Sequence, residues 1–142
     1  MIKELVKYIE NFPDFRELNG YDGVDVDYLR DINSFSIEPL AGEDIIKTYT
    51  NGDRVMSYDF AFNAKFMYSE DTYQNIINSE FFERFSRWIR SNNSKSIYPE
   101  FEKCTVEKIE VTNKPTLIKV ESEESIYQIT VRIVYVESFN FN

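Results

Sequence analysis

Between Val55 and Tyr68 the chain reads VMSYDFAFNAKFMY, and every second position is apolar or aromatic: Met56, Tyr58, Phe60, Phe62, Ala64, Phe66 and Tyr68. The intervening positions include Ser57, Asp59, Asn63 and Lys65. A strand turns successive side chains to opposite faces, so this stretch predicts a long antiparallel strand with one greasy face and one mostly wet face. Ile126 to Val136 repeats the pattern, with Tyr127, Ile129, Val131, Ile133 and Tyr135 set against Gln128, Thr130 and Arg132. Two matched stripes of this length need a common lid. The lid is the segment from about Thr72 to Asn92, where Tyr73, Ile77, Phe81, Phe85 and Trp88 recur at helical spacing and Ile76, Phe82 and Ile89 widen the stripe. Asp71 and Gln74 are placed as a capping box, and Asn78-Ser79 marks a candidate break.

The remaining elements are shorter. Ile2, Leu5, Val6, Ile9 and Phe12 predict an amphipathic helix that Pro13 ends. Asp14 to Asp31 reads as an acidic loop with turn signals at Asn19-Gly20 and Asp22-Gly23. Asn33 to Leu40 and Ile45 to Thr50 are strand candidates, and Asn51-Gly52-Asp53 is the tight turn that leads into the long strand. Thr105 to Val111 and Thr116 to Val120 read as strands around a turn at Thr112–Pro115. The sum is an α+β domain: an antiparallel (mixed) sheet with one long amphipathic helix and a short N-terminal helix packed on one face. Residues 1–142 form a single domain, with residues 137–142 as an extended tail.

Composition narrows the function more than it identifies it. A hydrophobic share of 42 % gives a chain of 142 residues a core without staples. No apolar run approaches the about 20 residues of a membrane span, and the charged N-terminus MIKELVKYIE lacks a signal-peptide core. The lone Cys104 fits synthesis in the cytoplasm. A net charge of −9 argues against gripping nucleic-acid phosphates. It keeps an aromatic-rich protein soluble, and it also suits a wall past which DNA slides.

Enzymatic chemistry has nowhere to start. The chain has no histidine, four scattered glycines and no phosphate-binding loop motif. Cys104 stands beside Lys103 without a base to activate it. Asp22, Asp25, Asp27 and Asp31 form the densest carboxylate cluster, but the spacing of a calcium loop is missing. No cofactor and no metal are expected. Glu80–Arg84 and Glu83–Arg87 are helix-surface pairs, each adding about 0.2–0.5 kcal/mol. Surface adhesion is left. One tryptophan, ten tyrosines and twelve phenylalanines are many for this length, a sheet leaves unpaired edges, and Phe139 and Phe141 are candidate inter-subunit contacts.

Several stretches then look familiar in order: NSFSIEPL at 33–40, IIKTYTNGD at 45–53, YQNIINSEFFERFSRWIRSNN at 73–93, KIEVT at 108–112 and YQITVRIVY at 127–135. They resemble a family of small virion proteins of bacteriophages and prophages of Gram-positive bacteria, labelled minor capsid or tail completion proteins and similar to tail terminators. The most specific piece is Asn-Ser-x-Phe-aromatic-Glu-basic-Phe-x-x-Trp-Ile, met by Asn78 to Ile89. The chain departs from the family at Asn113-Lys114-Pro115, where a Gly-Tyr-like hairpin tip is expected, and in the tail beyond Tyr135. The resemblance implies a homo-oligomer, a hexameric ring, at the head-proximal end of a phage tail or tail-like particle. Such a ring stops growth of the tail tube and offers a docking surface to the head–tail connector or neck protein. In a contractile tail it also meets the sheath protein, and DNA passes through it without specific binding. A reading from another class is a small acidic immunity- or antitoxin-like module that blocks a basic partner.

Overall fold

The computed structural model of the chain describes residues 1–18, 21, 23–29, 33–40, 44–67, 72–121 and 123–138, the side chains of 72–75 excepted. Its elements are helices α1 (Ile2–Ile9) and α2 (Thr72–Ser94), a 3-10 turn at Pro13–Glu17, and seven strands. The strands are β1 (Val24–Val26), β2 (Ser34–Pro39), β3 (Asp44–Thr48), β4 (Arg54–Met67), β5 (Cys104–Val111), β6 (Thr116–Glu121) and β7 (Glu124–Glu137). The fold is α+β, with the two helices on one face of a mixed sheet.

The two striped strands, β4 and β7, pair antiparallel along their whole length, from Arg54 opposite Glu137 to Met67 opposite Glu124. That register places Phe60 opposite Val131, Phe62 opposite Ile129 and Ala64 opposite Tyr127, so both stripes lie on one face. A slip of one residue would turn the polar set of one strand into the core, which is why the register is strongly specified. β2 and β3 lie end to end along the free side of β4, and β5 and β6 lie end to end along the free side of β7. The sheet is therefore two broken hairpins back to back, their tips at opposite ends. β1 pairs parallel with β2, from Val24 opposite Phe35 to Val26 opposite Ile37.

α2 lies across the striped face and buries Phe81, Phe82, Phe85 and Ile89. Phe85 stacks on Phe62 with centroids 4.5 Å apart, and Phe81 stacks on Phe35 at 5.4 Å. From the N-terminal segment, Phe12 sits edge-on to Phe81 and Phe85, 5.4 Å from each. These offset and edge-on arrangements are the favoured ones for aromatic quadrupoles. α1 contributes Leu5 and Ile9, both fully buried, and Tyr8. The Tyr8 hydroxyl donates to the Ile97 carbonyl at 2.9 Å and accepts from Asn92 Nδ2 at 2.9 Å, which ties α1 to the end of α2.

Several expectations need correction. The acidic loop contains β1, because Val24 finds a place in the core and its neighbours follow the backbone of β2. α2 runs unbroken through Asn78-Ser79; the Asn78 side chain is buried and donates to the Met67 carbonyl at 3.0 Å, joining helix to strand. Ile76 does not widen the buried face and Ile77 does not join the buried stripe; both lie exposed. Trp88 is half-buried, packed on Tyr8 and Phe12 at the flank of the roof. Arg84 turns away from Glu80 to an ion pair with Asp14, whereas Glu83–Arg87 forms at 3.8 Å.

Residues 112–115 are no hairpin tip. The chain passes through them while staying beside β7: the Thr112 N–H donates to the Thr130 carbonyl at 2.9 Å, and Asn113 Oδ1 accepts from the Thr130 N–H at 2.7 Å. The far face of β4 is also less wet than its pattern suggests. Ser57, Ala61 and Asn63 are buried there without a helix above them, because short side chains in mid-sheet are shaded by longer neighbours. Asn63 donates to Ser36 Oγ at 3.4 Å and accepts from Gln128 at 3.0 Å, and Arg132 grips both oxygens of Asp59 at 2.9 and 3.1 Å. Tyr68, Asp71 and the capping box lie outside the described residues or side chains.

Candidate assembly surface

Among the described residues the sheet has four edge segments, and side chains at the ends of the helices and just beyond α2 cap main-chain groups on two of them. At β5, Asn93 Oδ1 at the end of α2 accepts from the Ile109 N–H at 3.2 Å, and the Tyr98 hydroxyl donates to the Glu107 carbonyl at 3.0 Å. At β1, Glu10 Oε2 accepts from the Val24 N–H at 3.3 Å. Three main-chain groups that would attract a foreign strand are thus occupied by side chains of the same molecule.

β3 and β6 are left open. Neither has a strand beyond it among the described residues, and both are solvent-exposed along their whole length. Each displays large apolar side chains: Ile45 and Ile46, 55 % and 57 % exposed, with Tyr49 just beyond β3, and Leu117, Ile118 and Val120 on β6. They are built alike. Both break register once, between Ile45 and Lys47 and between Leu117 and Lys119, so each carries an apolar residue, a bulged isoleucine and a lysine in sequence. Bulges and lysines blunt indiscriminate strand addition. The isoleucines beside them remain available for a shaped partner. β3 lies on one edge and one end of the sheet, β6 on the other edge and the other end.

Two further apolar features lie near the start of α2. Ile77 and Met67 line a hollow of about 230 Å³ with Leu18, Phe66, Phe81 and Arg84. Tyr21 stacks on Phe15 at 4.6 Å, nearly parallel, and its hydroxyl pKa is pushed up to about 12, first by burial and then by the Glu10 carboxylate. Tyr8 is likewise pushed up to about 12 by burial, against the opposing hydrogen bond from Asn92. Both phenols are neutral at pH 7 with or without these shifts, which reflect their burial in the packing.

The residues singled out in the sequence fall in separate places. Phe139 and Phe141 lie outside the described residues, as do Asp22 and Asp31 of the acidic cluster. Asp25 is in β1 and Asp27 follows it. Cys104 is half-buried at the start of β5, opposite Glu137. Among the described residues no group of three His, Cys, Asp or Glu side chains is arranged to hold a metal, and no helix is long and apolar enough to cross a membrane. The open strands were legible as strands but not as a surface. One signal pointed to them: Ile45-Ile46 and Leu117-Ile118 are adjacent apolar pairs, and adjacent strand residues cannot both face one lid.

No protein-family model matches this sequence, and no curated protein matches it.

Proposed function

We propose that the chain is a structural subunit of a phage tail or tail-like particle, a tail terminator or tail completion protein made in the bacterial cytoplasm and built into the virion. The observation that carries this reading is the pair of open apolar strands on opposite edges of a stiff, aromatic-packed sheet. A subunit whose two adhesive edges differ and face away from each other joins head to tail with its copies, and such contacts close into rings when the rotation allows. The resemblance drawn from Asn78 to Ile89 and the flanking strands supplies the particle and the ring order of six. The ring would cap the tail tube, meet the connector or neck protein and, in a contractile tail, the sheath. The net charge of −9 would let DNA pass a lumen without sticking.

The test is electron microscopy of particles assembled without this protein. Overlong tubes lacking heads are the expected defect. Tails of normal length joined to heads would exclude the terminator role, and a tight one-to-one complex with a basic toxin would favour the immunity-module reading.

A further inference from the structure

We infer that β6 of one copy adds antiparallel to β3 of the next, so that a continuous sheet crosses every junction of the ring; the inference rests on the self-assembling reading above and specifies its contact. Three observations on the molecule lead there. The first is which edges are left open. At β1 and β5 the side chains of Glu10, Asn93 and Tyr98 already occupy edge main-chain groups, at Val24, Ile109 and Glu107, whereas among the described residues no side chain does so at β3 or β6. Pairing like with like, β3 on β3, would leave both β6 edges open. Only the unlike junction closes both edge types with one repeated contact, and an extended segment added to a sheet edge gains main-chain hydrogen bonds as well as side-chain burial.

The second is strand direction. β3 runs antiparallel to β4, β4 to β7, and β6 to β7, so β3 and β6 already point in opposite directions within one chain. Copies related by a rotation that carries the sheet forward meet with these strands antiparallel.

The third is side-chain complementarity. Asp44 stands opposite Ser57 and Lys119 opposite Ile126, which puts both on the helix-free face. Setting Asp44 against Lys119 of the neighbour brings Ile45 against Ile118 and Ile46 against Leu117, four apolar side chains that are all exposed in the single chain. Among the described residues Lys119 pairs with Glu121, 3.1 Å away in a largely exposed pair of little worth, so turning to Asp44 costs little. The register excludes the like-charge alternative in which Asp44 faces Glu121.

The test uses two full-length variants, Ile45→Asp and Ile118→Asp, each altered at an exposed site and checked for native near-ultraviolet dichroism. Mass is measured by sedimentation at millimolar protein, a concentration at which the wild type is expected to form closed oligomers. Each variant alone should stay a monomer, because one of its two edges is spoiled. Mixed in equal amounts, they should double in mass and stop at a one-to-one dimer, since one intact β3 and one intact β6 remain to pair. Oxidation of Ile45→Cys/Ile118→Cys in a Cys104→Ser background should give a ladder of covalent oligomers, and either cysteine alone should give none. Oligomers that persist in both aspartate variants, a mixture that stays monomeric, or dimers formed by a single cysteine would overturn the junction while leaving a ring by other contacts standing. A wild type that is monomeric throughout would also overturn it, and the tail-length experiment then decides the terminator role independently.

Discussion

Replacing Asn93 by alanine would reopen an edge that the molecule closes for itself. Asn93 Oδ1 accepts from the Ile109 N–H at 3.2 Å and, at 3.1 Å from the Tyr98 hydroxyl, shares that group's one proton with the Glu107 carbonyl. The Tyr98 hydroxyl keeps the Glu107 carbonyl at 3.0 Å after truncation, so the Ile109 amide is the group left without its acceptor. An orphaned buried donor costs about 1–3 kcal/mol, and the half-buried setting here, which water can reach, puts the cost at about 1–2 kcal/mol. With total stability of about 5–15 kcal/mol and a urea dependence of about 2 kcal/mol per molar, the unfolding midpoint should fall by roughly 0.5–1 M. Ser94→Ala, one residue on and exposed, should shift stability by less than about 0.5 kcal/mol. Native-state amide exchange gives the local readout: Ile109 should exchange by local opening and speed up more than the β4–β7 amides, whose rates should rise only by the roughly 5–30-fold that a global loss of about 1–2 kcal/mol gives. An unmoved midpoint together with unchanged protection at Ile109 would refute the edge-closing role.

Other outcomes follow from the same structure. Phe62→Ala, which removes a fully buried ring stacked on Phe85 at 4.5 Å and Phe35 at 5.9 Å, should cost about 3–5 kcal/mol in urea unfolding. Stability should fall as pH rises from 10 towards 12: Tyr8 is raised from 10.0 to about 12 in the folded chain, so over that window the unfolded state loses a proton that the folded state keeps. Tyr8→Phe should be less stable than the wild type at neutral pH, having lost the bonds to Ile97 and Asn92, and should show a shallower alkaline decline, to which Tyr21 still contributes. A double-mutant cycle on Asp59 and Arg132 should give a coupling of about 1 kcal/mol or less, since the bidentate pair lies exposed on the open face.

The parts of the fold that the sequence made legible are those governed by local periodicity. The stripes of β4 and β7 and the helix above them follow from spacing alone, because one face of each element is buried, and the turn at Asn51-Gly52 follows from its residue types. What escaped depends on groups distant in the chain. β1 is three residues long and exists only because β2 lies beside it. Asn113-Lys114-Pro115 announces a break in a strand but not whether the chain reverses, and its direction is set by Thr130 across the sheet. Arg84 had a plausible partner four residues away and found a better-placed one in Asp14. The candidate assembly surface was the least legible, because β3 and β6 have ordinary strand sequences. Among the described residues no helix reaches them, whereas Asn93 and Tyr98 reach β5.

Amide exchange compared between the dilute chain and the assembled oligomer tests the adhesive-edge account most directly. Amides of Ile45–Thr48 and Thr116–Val120 should exchange quickly in the dilute chain and slow strongly on assembly, while those of β1 and β5 hold their values. Protection gained instead on α2 or across the helix-free face of β4 and β7, with β3 and β6 unchanged, would contradict it.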